Sequence, residues 1–264
     1  MRLMRNPAYA AAQRVYAVGL RTLYARSGMP WRVHDEIVRI DPRVRHFVPH
    51  ASESALFAFI KRHITPGAVV FDVGSFLGVY AVLAARFAGP RGRVIAVEPT
   101  PSSALVARRH LEFNASVAAA PVILFEAAAG ERRGRATFYE YDAPYVNGLT
   151  PAVDVNGRAR HRAVEVVTID DLCDQLKIRP TFIRMDVQGA EFQALRGACR
   201  TIAAMGSRLT IVAEMHPQCW PSLGLDEGHA RETIDALGLC AAPLEPGADL
   251  FARDGHIVLA RRTA

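Results

Sequence analysis

The stretch from Val69 to Glu98 constrains the fold more than any other part of the chain. An apolar run ends in an acid and a glycine, a helical stretch follows, and a second apolar run ends at Glu98. This alternation continues along the chain, which indicates parallel strands with helices on both faces of one sheet. We expect strands at 68–73, 93–98, 121–126, 181–186, 209–214 and 256–261, and helices at 78–88, 101–114, 189–204 and 227–238. The sequence therefore predicts an α/β fold with a Rossmann-like, doubly wound and mostly parallel sheet.

The chain divides into an N-terminal accessory region and one larger domain. In residues 1–50, an amphipathic helix at 8–26 precedes a short hairpin that is expected to turn at Asp41-Pro42. Residues 51–264 carry the alternating elements. Within them, residues 131–170 hold two strand-like stretches around a loop rich in Gly, Pro and Asn, which predicts a β-hairpin insertion.

Composition narrows the classes of function. The 264 residues, half of them hydrophobic, suffice for one α/β core with an appendage. The formal charge of +6 comes mainly from arginines spread singly, so we expect no nucleic-acid partner. No apolar stretch is long enough to span a bilayer, and the four cysteines have no metal-binding or redox spacing, which favours a cytoplasmic protein. The helix at 8–26 is expected to pack on the domain or to join a homo-oligomer, with peripheral membrane contact as the alternative.

The turn after the first strand has the features of a cofactor site. Gly74 lets the backbone turn and approach a ligand, and the helix that starts near Gly78 presents N–H groups to a carboxylate. Asp72 at the strand tip is expected to hold a cationic amine or order a water molecule, and Ser75 lies in the same turn. These features suit the methionine part of S-adenosylmethionine.

The next two strand ends suit a nucleoside. Glu98 is placed to accept both ribose hydroxyls, and Pro99 and Thr100 then begin the following helix. Glu126 and Ala127 end the third strand and are expected beside the adenine, although a solvated Glu126 explains the same pattern. A nicotinamide-binding protein would share the turn and the acid, but this chain has G-x-x-x-G instead of G-x-G-x-x-G.

Four segments resemble one protein family. They are DVGSFLG, GRVIAVEPTP, VTIDDL and FIRMDVQGAEFQALRGA. Together they resemble the FkbM family of class I S-adenosylmethionine-dependent methyltransferases, over residues 50–216. The resemblance implies methyl transfer to a hydroxyl, often on a sugar or a natural product. The chain departs from the family in having Ser75 and Phe76 for a small residue and Asn, and Arg184 and Gln188 for Lys and Glu.

Three polar side chains are expected at the carboxyl ends of the fourth and fifth strands, where ligands bind on an open parallel sheet. Asp186 ends the fourth strand, and Glu214 and His216 point to the same side of the fifth. His216 is the expected general base because its unperturbed pKa is near neutrality, while Asp186 either orients the hydroxyl or takes that role itself. The three residues also have the donor types of a divalent-metal site, but their spacing does not select one, and no metal is predicted.

The insertion is expected to close over the acceptor as a lid, with Tyr145 and Asn147 in contact with it. The sequence thus predicts an O-methyltransferase that acts on a hydroxyl of a saccharide, glycoconjugate or natural product. Two alternatives stay open. One is a catalytically silent S-adenosylmethionine-binding protein that acts by assembly, and the other is a nicotinamide-dependent oxidoreductase.

Overall fold

The computed structural model describes residues 7–48, 50, 52–142, 144–149, 151, 159–251 and 254–262. In chain order the elements are α1 (Pro7–Leu23), β1 (Met29–Val33), β2 (Glu36–Ile40), α2 (Ser54–His63), β3 (Val69–Val73), α3 (Val79–Ala88), β4 (Arg93–Val97), α4 (Pro101–Phe113), β5 (Val122–Phe125), β6 (Ala128–Ala129), β7 (Gly134–Glu140), β8 (Arg160–Val167), α5 (Ile169–Leu176), β9 (Phe182–Met185), α6 (Glu191–Arg196), α7 (Cys199–Met205), β10 (Thr210–Met215), α8 (Glu227–Ala236), β11 (Leu239–Pro243) and β12 (Gly255–Arg261). Each strand expected from the sequence forms, within one residue at either end.

Seven strands form the central sheet, in the order β11-β12-β10-β9-β3-β4-β5. Neighbouring strands are parallel except at β12, which is antiparallel to both β10 and β11. From β3 the chain builds one half of the sheet through β4 and β5, then crosses to β9 and builds the other half. The prediction of a doubly wound, mostly parallel sheet is confirmed. Its switch point lies between β3 and β9, where such sheets bind ligands.

Alternate residues of the central strands enter two apolar cores, one on each face of the sheet. Phe71 and Ile183 pack with the helices α5 to α8. Val70 and Phe182 pack on the opposite side with α2, α3 and the hairpin of β1 and β2. Because side chains alternate along a strand, this burial on both faces explains the nearly continuous apolar runs. The N-terminal hairpin therefore shares a core with the sheet.

The predicted hairpin insertion forms from β7 and β8. The two strands pair antiparallel from Gly134 opposite Val166 to Glu140 opposite Arg160. β8 also pairs, in parallel, with the two-residue strand β6, which follows closely on β5. Residues 143, 150 and 152–158 of the connecting loop lie outside the described residues.

The helix predicted at 189–204 is in fact two helices, α6 and α7. The chain bends at Gly197, where an added Cβ would lie 2.0 Å from the carbonyl oxygen of Gly130. The backbone N–H of Asp170 donates to the carbonyl of Gly197 at 2.9 Å. Close packing against a distant segment, which no local pattern reports, therefore interrupts the helix.

The N-terminal hairpin turns at 34–35, between β1 and β2, and not at Asp41-Pro42 as predicted. Asp41 instead begins a 3-10 helix over Pro42–Phe47, accepting a hydrogen bond from the N–H of Arg43 at 3.0 Å. An aspartate before proline is as typical of the start of a helix as of a turn, and this explains why the sequence predicts the hairpin turn at the wrong position.

The helix α1 contacts this 3-10 helix but leaves one apolar side uncovered. The side chains of Val15, Tyr16, Val18 and Leu23 are largely exposed. Pairing of this side with a second copy of the chain stays a prediction. In the described ranges, no helix combines the length and the apolar character needed to cross a bilayer.

Candidate functional site

The turn after β3 brings three strand ends into contact. Gly74 has a φ of +77°, and a Cβ placed on it would lie 1.7 Å from the carbonyl oxygen of Asp186 on the next strand. The N–H groups of Gly74 and Ser75 both donate to the carbonyl of Val97, at 2.8 and 3.0 Å. Position 74 therefore requires glycine, both for its conformation and for this close approach.

Glu98 is buried directly beyond β4. Its two carboxylate oxygens accept hydrogen bonds from the backbone N–H groups of Thr100 and Phe76, each at 2.8 Å. Burial raises the pKa of Glu98 to about 7, although these hydrogen bonds oppose the shift. The carboxylate is thus fixed in one orientation, and each oxygen keeps a lone pair for a ligand.

A pocket with about 610 Å³ of empty space, part of it open to solvent, lies beside Glu98 at the carboxyl ends of β3, β4 and β9. Ala127, Ala128 and Ala129 form part of its wall, and their small side chains leave room for a flat ring. The residues predicted from the sequence that line it are Gly74, Glu98, Pro99, Thr100, Ala127, Tyr145, Asn147 and Asp186. Strand ends and the insertion together enclose this first cavity.

Three residues predicted to contact the cofactor, Asp72, Gly78 and Glu126, line neither this pocket nor the cavity that adjoins it, and a fourth, Ser75, lines only that second cavity. Asp72 is buried below the turn, where its carboxylate accepts from Nη1 of Arg184 at 3.3 Å. Gly78 begins α3 and packs against α4, because a Cβ there would lie 2.9 Å from the Cβ of Ala107. Glu126 is exposed and forms a surface ion pair. The first two residues therefore support the fold, and the third faces solvent.

The pocket fits S-adenosylmethionine. Glu98 offers a fixed carboxylate to the ribose hydroxyls, and the alanine wall offers space for the adenine. The Ser75 hydroxyl is buried and has no hydrogen-bond partner among the described residues, which leaves it available to the methionine end. Phe76 lines the pocket with a φ of +49°, a costly conformation for an aromatic residue and one typical of functional sites.

The side chain of Arg184 forms hydrogen bonds to residues at the ends of both β3 and β9. Its Nη1 donates to the carbonyl of Gly74 at 2.9 Å as well as to Asp72, and its Nη2 donates to Oδ2 of Asp186 at 2.8 Å. The guanidinium also lies 4.9 Å from the centre of the Tyr80 ring. A planar fork holds two carboxylates in defined directions, which a lysine ammonium does not do as well.

Hydrogen bonds also fix His216 directly after β10. Its Nδ1 lies 2.8 Å from Oε1 of the buried Glu191, whose other oxygen accepts from Nε1 of Trp220 at 3.2 Å. Its Nε2 lies 2.9 Å from the amide nitrogen of Gln188, which also donates to Oδ1 of Asp186 at 2.9 Å. Glu191 therefore orients the imidazole, a role that the sequence analysis does not include.

Asp186, Glu214 and His216 come together in the structure. Nε2 of His216 lies 3.9 Å from Oδ1 of Asp186 and 3.9 Å from Oε1 of Glu214. Burial lowers the pKa of His216, but the hydrogen bond and charge of Glu191 and the other acids outweigh it and raise the pKa to about 9. Burial and the charge of Asp186 raise the pKa of Glu214 to about 8. The pKa of His216 therefore lies well above the unperturbed value near neutrality from which its role as a base is expected.

Asp186 differs from Glu214 because it accepts a hydrogen bond from the Arg184 guanidinium. Burial acts to raise the pKa of Asp186, but the charges of Arg184 and His216 outweigh it and keep this pKa below its usual value. Asp186 is therefore ionised at neutral pH, and two acids at the ends of the neighbouring strands β9 and β10 have opposite pKa shifts.

A second cavity, with about 1030 Å³ of empty space that includes space open to solvent, adjoins the first. The residues that line both are Phe76, Tyr145, Asp186 and Gln188. Glu53 and Tyr80 border the second cavity, and His256 on β12 lies opposite Glu214 on β10. The sequence analysis missed these three residues, because none stands at the carboxyl end of a parallel strand.

Comparison with curated proteins finds relatives among methyltransferases. The chain is 35% identical over 81 residues to Ribosomal protein L11 methyltransferase of Pelotomaculum thermopropionicum, a match covering 30% of this chain and 26% of that protein. It is 30% identical over 123 residues to Protein-L-isoaspartate O-methyltransferase 1 of Arabidopsis thaliana, covering 45% of this chain and 52% of that protein. The matches thus span about a quarter and about half of these relatives.

Among solved structures, the chain is similar to a protein of Clostridium thermocellum that is provisionally named an rRNA methylase. The two chains are 8% identical, and the TM-score is 0.52. The match covers 80% of this chain and 96% of that one. This likeness shows the fold alone. The family profile described as Methyltransferase FkbM domain matches residues 72–238, more than half of the chain. The matched span contains the glycine turn, Glu98 and the Asp186, Glu214 and His216 cluster. The resemblance found in the sequence is confirmed, and the chain belongs to the FkbM family of S-adenosylmethionine-dependent methyltransferases.

Proposed function

We propose that the protein transfers the methyl group of S-adenosylmethionine to a hydroxyl of a saccharide, glycoconjugate or natural product. The observation that carries the proposal is the convergence of Asp186, Glu214 and His216 where the two cavities adjoin. One cavity fits the cofactor, and the other leaves space for an acceptor. An alcohol needs alignment and a group that takes its proton, and this cluster supplies both.

Within the proposed reaction, Asp186, His216 and Gln188 have separate roles. Asp186 lines both cavities and is ionised, so it accepts a hydrogen bond from the acceptor hydroxyl and orients its oxygen. Nε2 of His216 takes the proton, while Nδ1 stays on Glu191. Gln188 then turns its amide so that the oxygen faces the ring. The cofactor supplies the methyl group, and a cation bound in the adjoining pocket favours the neutral imidazole.

The second cavity suits a polar acceptor with an apolar side. Acidic groups line its interior, and the rings of Phe47 and Tyr145, 6.5 Å apart, lie at its edge. Aromatic side chains stack on the apolar faces of sugar rings. Oδ1 of Asn147 accepts from the N–H of Tyr141 at 2.7 Å and so stabilises the segment 144–149. We therefore assign the insertion the role of a lid.

Two alternatives must be separated from this proposal. The names of the curated relatives state protein acceptors, so a protein side chain is the competing acceptor. A family member that binds the cofactor without turnover is the second alternative. Membership of the FkbM family removes the nicotinamide-dependent oxidoreductase considered from the sequence.

Product analysis tests the acceptor class. The protein is incubated with S-adenosylmethionine carrying a deuterated methyl group and with panels of saccharides, glycolipids, hydroxylated natural products and peptides, and products are identified by mass spectrometry. We expect the label on a hydroxyl of a saccharide or natural product, as an ether that resists mild base. Label confined to peptides, or to base-labile esters, would contradict the proposal. Tight binding of S-adenosylhomocysteine without turnover on any panel would favour the silent protein.

Cofactor affinity is expected to rise with pH through the pKa of Glu98. The pKa is raised to about 7, so the carboxylate that accepts the ribose hydroxyls is mostly protonated at pH 6 and mostly ionised at pH 8. Because the ligand binds the ionised form better, the Kd of S-adenosylhomocysteine should fall by about tenfold between these pH values. Calorimetric titration at pH 6, 7 and 8 measures it.

Glu98→Gln is the matched control for this titration. Its amide places a donor against one of the two backbone N–H groups and carries no charge, so affinity at pH 8 should be at least about tenfold weaker. The remaining pH dependence should be flat, apart from the contribution of other groups. A wild-type Kd that does not change with pH, or an unchanged Kd in Glu98→Gln, would place the ribose elsewhere.

A further inference from the structure

Three side chains with metal-binding atoms converge beside the acceptor cavity. Glu53 precedes α2, Glu214 lies on β10, and His256 lies opposite Glu214 on β12. Nε2 of His256 is 3.6 Å from Oε2 of Glu214 and 3.8 Å from Oε1 of Glu53. All three ligand atoms lie within 4.8 Å of one another.

These separations are too long for hydrogen bonds and are close to those of atoms that share an ion. Ligand atoms held about 2.1 Å from one metal lie roughly 3 to 3.5 Å apart in tetrahedral or octahedral geometry. The contacts of His256, at 3.6 and 3.8 Å, need only a small side-chain movement to reach that range.

The His256 imidazole gives an independent sign of a missing ligand. Its side chain is 16% exposed, and its Nε2 atom is buried without a hydrogen-bond partner among the described residues. Such atoms are rare in folded proteins and call for an ion or a water molecule. Nε2 faces one oxygen of each of two carboxyl groups, and both distances exceed that of a hydrogen bond. A cation between the three groups satisfies all of them.

Among the described residues, no arginine or lysine forms an ion pair with this cluster, although the charge of Arg184 acts on all three groups from farther away. Arg184 directs its terminal N–H groups to Asp72, Gly74 and Asp186. Within the described part of the chain, the ion pairs of Glu53 and Glu214 at 4.0 Å or less are with histidines alone.

The second oxygen of Glu53 is held from outside the cluster. The hydroxyl of Tyr80 donates to its Oε2 at 2.8 Å, which leaves Oε1 directed to His256. An outer hydrogen bond of this kind orients a carboxylate that binds a metal.

We propose that Glu53, Glu214 and His256 bind one divalent transition-metal ion, with Mn²⁺ and Zn²⁺ as the ions that fit best. Two carboxylates and one imidazole suit such ions, and three protein ligands leave positions open for water or an acceptor oxygen. The proposed site differs from the Asp186, Glu214 and His216 set considered from the sequence, because Nε2 of His216 already contacts the Gln188 amide. It goes beyond the proposed methyl transfer and does not depend on it.

Metal binding to the full chain tests the proposal directly. The chelator-treated protein is titrated with Mn²⁺ and followed by electron paramagnetic resonance and calorimetry, and Zn²⁺ is then added as a competitor. We expect one Mn²⁺ per chain, with electron spin echo modulation from one coordinated imidazole nitrogen, and displacement by Zn²⁺. His256→Ala should remove the nitrogen signal, and His256→Ala and Glu53→Gln should each weaken binding at least tenfold.

Two comparisons keep the test decisive. His229→Ala removes an exposed histidine beside Asp226 and should leave Mn²⁺ affinity unchanged. Glu53→Gln keeps an acceptor for Tyr80, so its unfolding temperature without metal should match the wild type even if that of His256→Ala falls. No stoichiometric binding, or equal affinity in Glu53→Gln and wild type, would overturn the site. Methyl transfer measured on the same samples reports separately on the proposed function.

Discussion

Replacing His216 by alanine is expected to slow methyl transfer by about 100-fold or more, the usual contribution of a positioned proton acceptor. The affinity for S-adenosylhomocysteine should stay within about twofold, since His216 lines the second cavity and not the cofactor pocket. Turnover with labelled cofactor and calorimetry on the same preparation measure the two quantities. Retained activity would remove His216 from the base role, and a parallel loss of affinity would assign it to the cofactor.

The structural cost of His216→Ala must be separated from the chemical one. The substitution leaves the buried Glu191 without its imidazole partner, although the N–H of Gly189 and Nε1 of Trp220 still bond to it. Added imidazole should therefore restore part of the activity, which a purely structural defect would not allow. His229→Ala, the same change at an exposed site, should transfer methyl groups at the wild-type rate.

Gly74→Ala should reduce the free energy of unfolding by about 3 kcal/mol or more. The added Cβ would lie 1.7 Å from the carbonyl oxygen of Asp186, so β3 and β9 must separate at the ends that carry the site. The φ of +77° adds the ordinary penalty for a left-handed residue. Urea unfolding followed by tryptophan fluorescence measures the loss, and affinity for S-adenosylhomocysteine should fall with it.

Gly67→Ala separates these two causes. Gly67 has a φ of +88°, but no atom of the described residues lies within 4 Å of its added Cβ, so only the conformational penalty of about 1 kcal/mol is expected. The difference between the two variants measures the close approach of the strands. Equal losses would show that the contact at position 74 relaxes without cost.

The sequence predicts the sheet well because its strands are buried on both faces. Val70 and Phe71 face opposite cores, and such continuous apolar runs are hard to confuse with loops. Local patterns fail where packing between distant segments decides the outcome. The bend at Gly197 depends on Gly130, and β11 is short, rich in small residues and ends in proline, so its pairing with β12 leaves little trace in the sequence.

The residues of the candidate site can be predicted from the sequence where they stand at the ends of parallel strands. Glu98 and Asp186 stand at the ends of parallel strands, and the topology alone brings them to one pocket. Asp72 lies beside Arg184 and not in the pocket, and the position of a residue along a strand does not reveal such a buried partner. His256 could not be found at all, since only the antiparallel register of the last strand places it opposite Glu214.

The two-residue strand β6 limits where the insertion of this protein can be exchanged for that of a relative. Ala128 and Ala129 form part of the wall of the cofactor pocket, and they also pair with Val166 and Val167 at the edge of the insertion sheet. An insertion grafted from a relative with junctions before β6 would therefore rebuild the cofactor site as well. Junctions inside β7 and β8 leave the alanine wall intact and exchange only the part of the pocket lining that the hairpin supplies, which includes Tyr145 and Asn147.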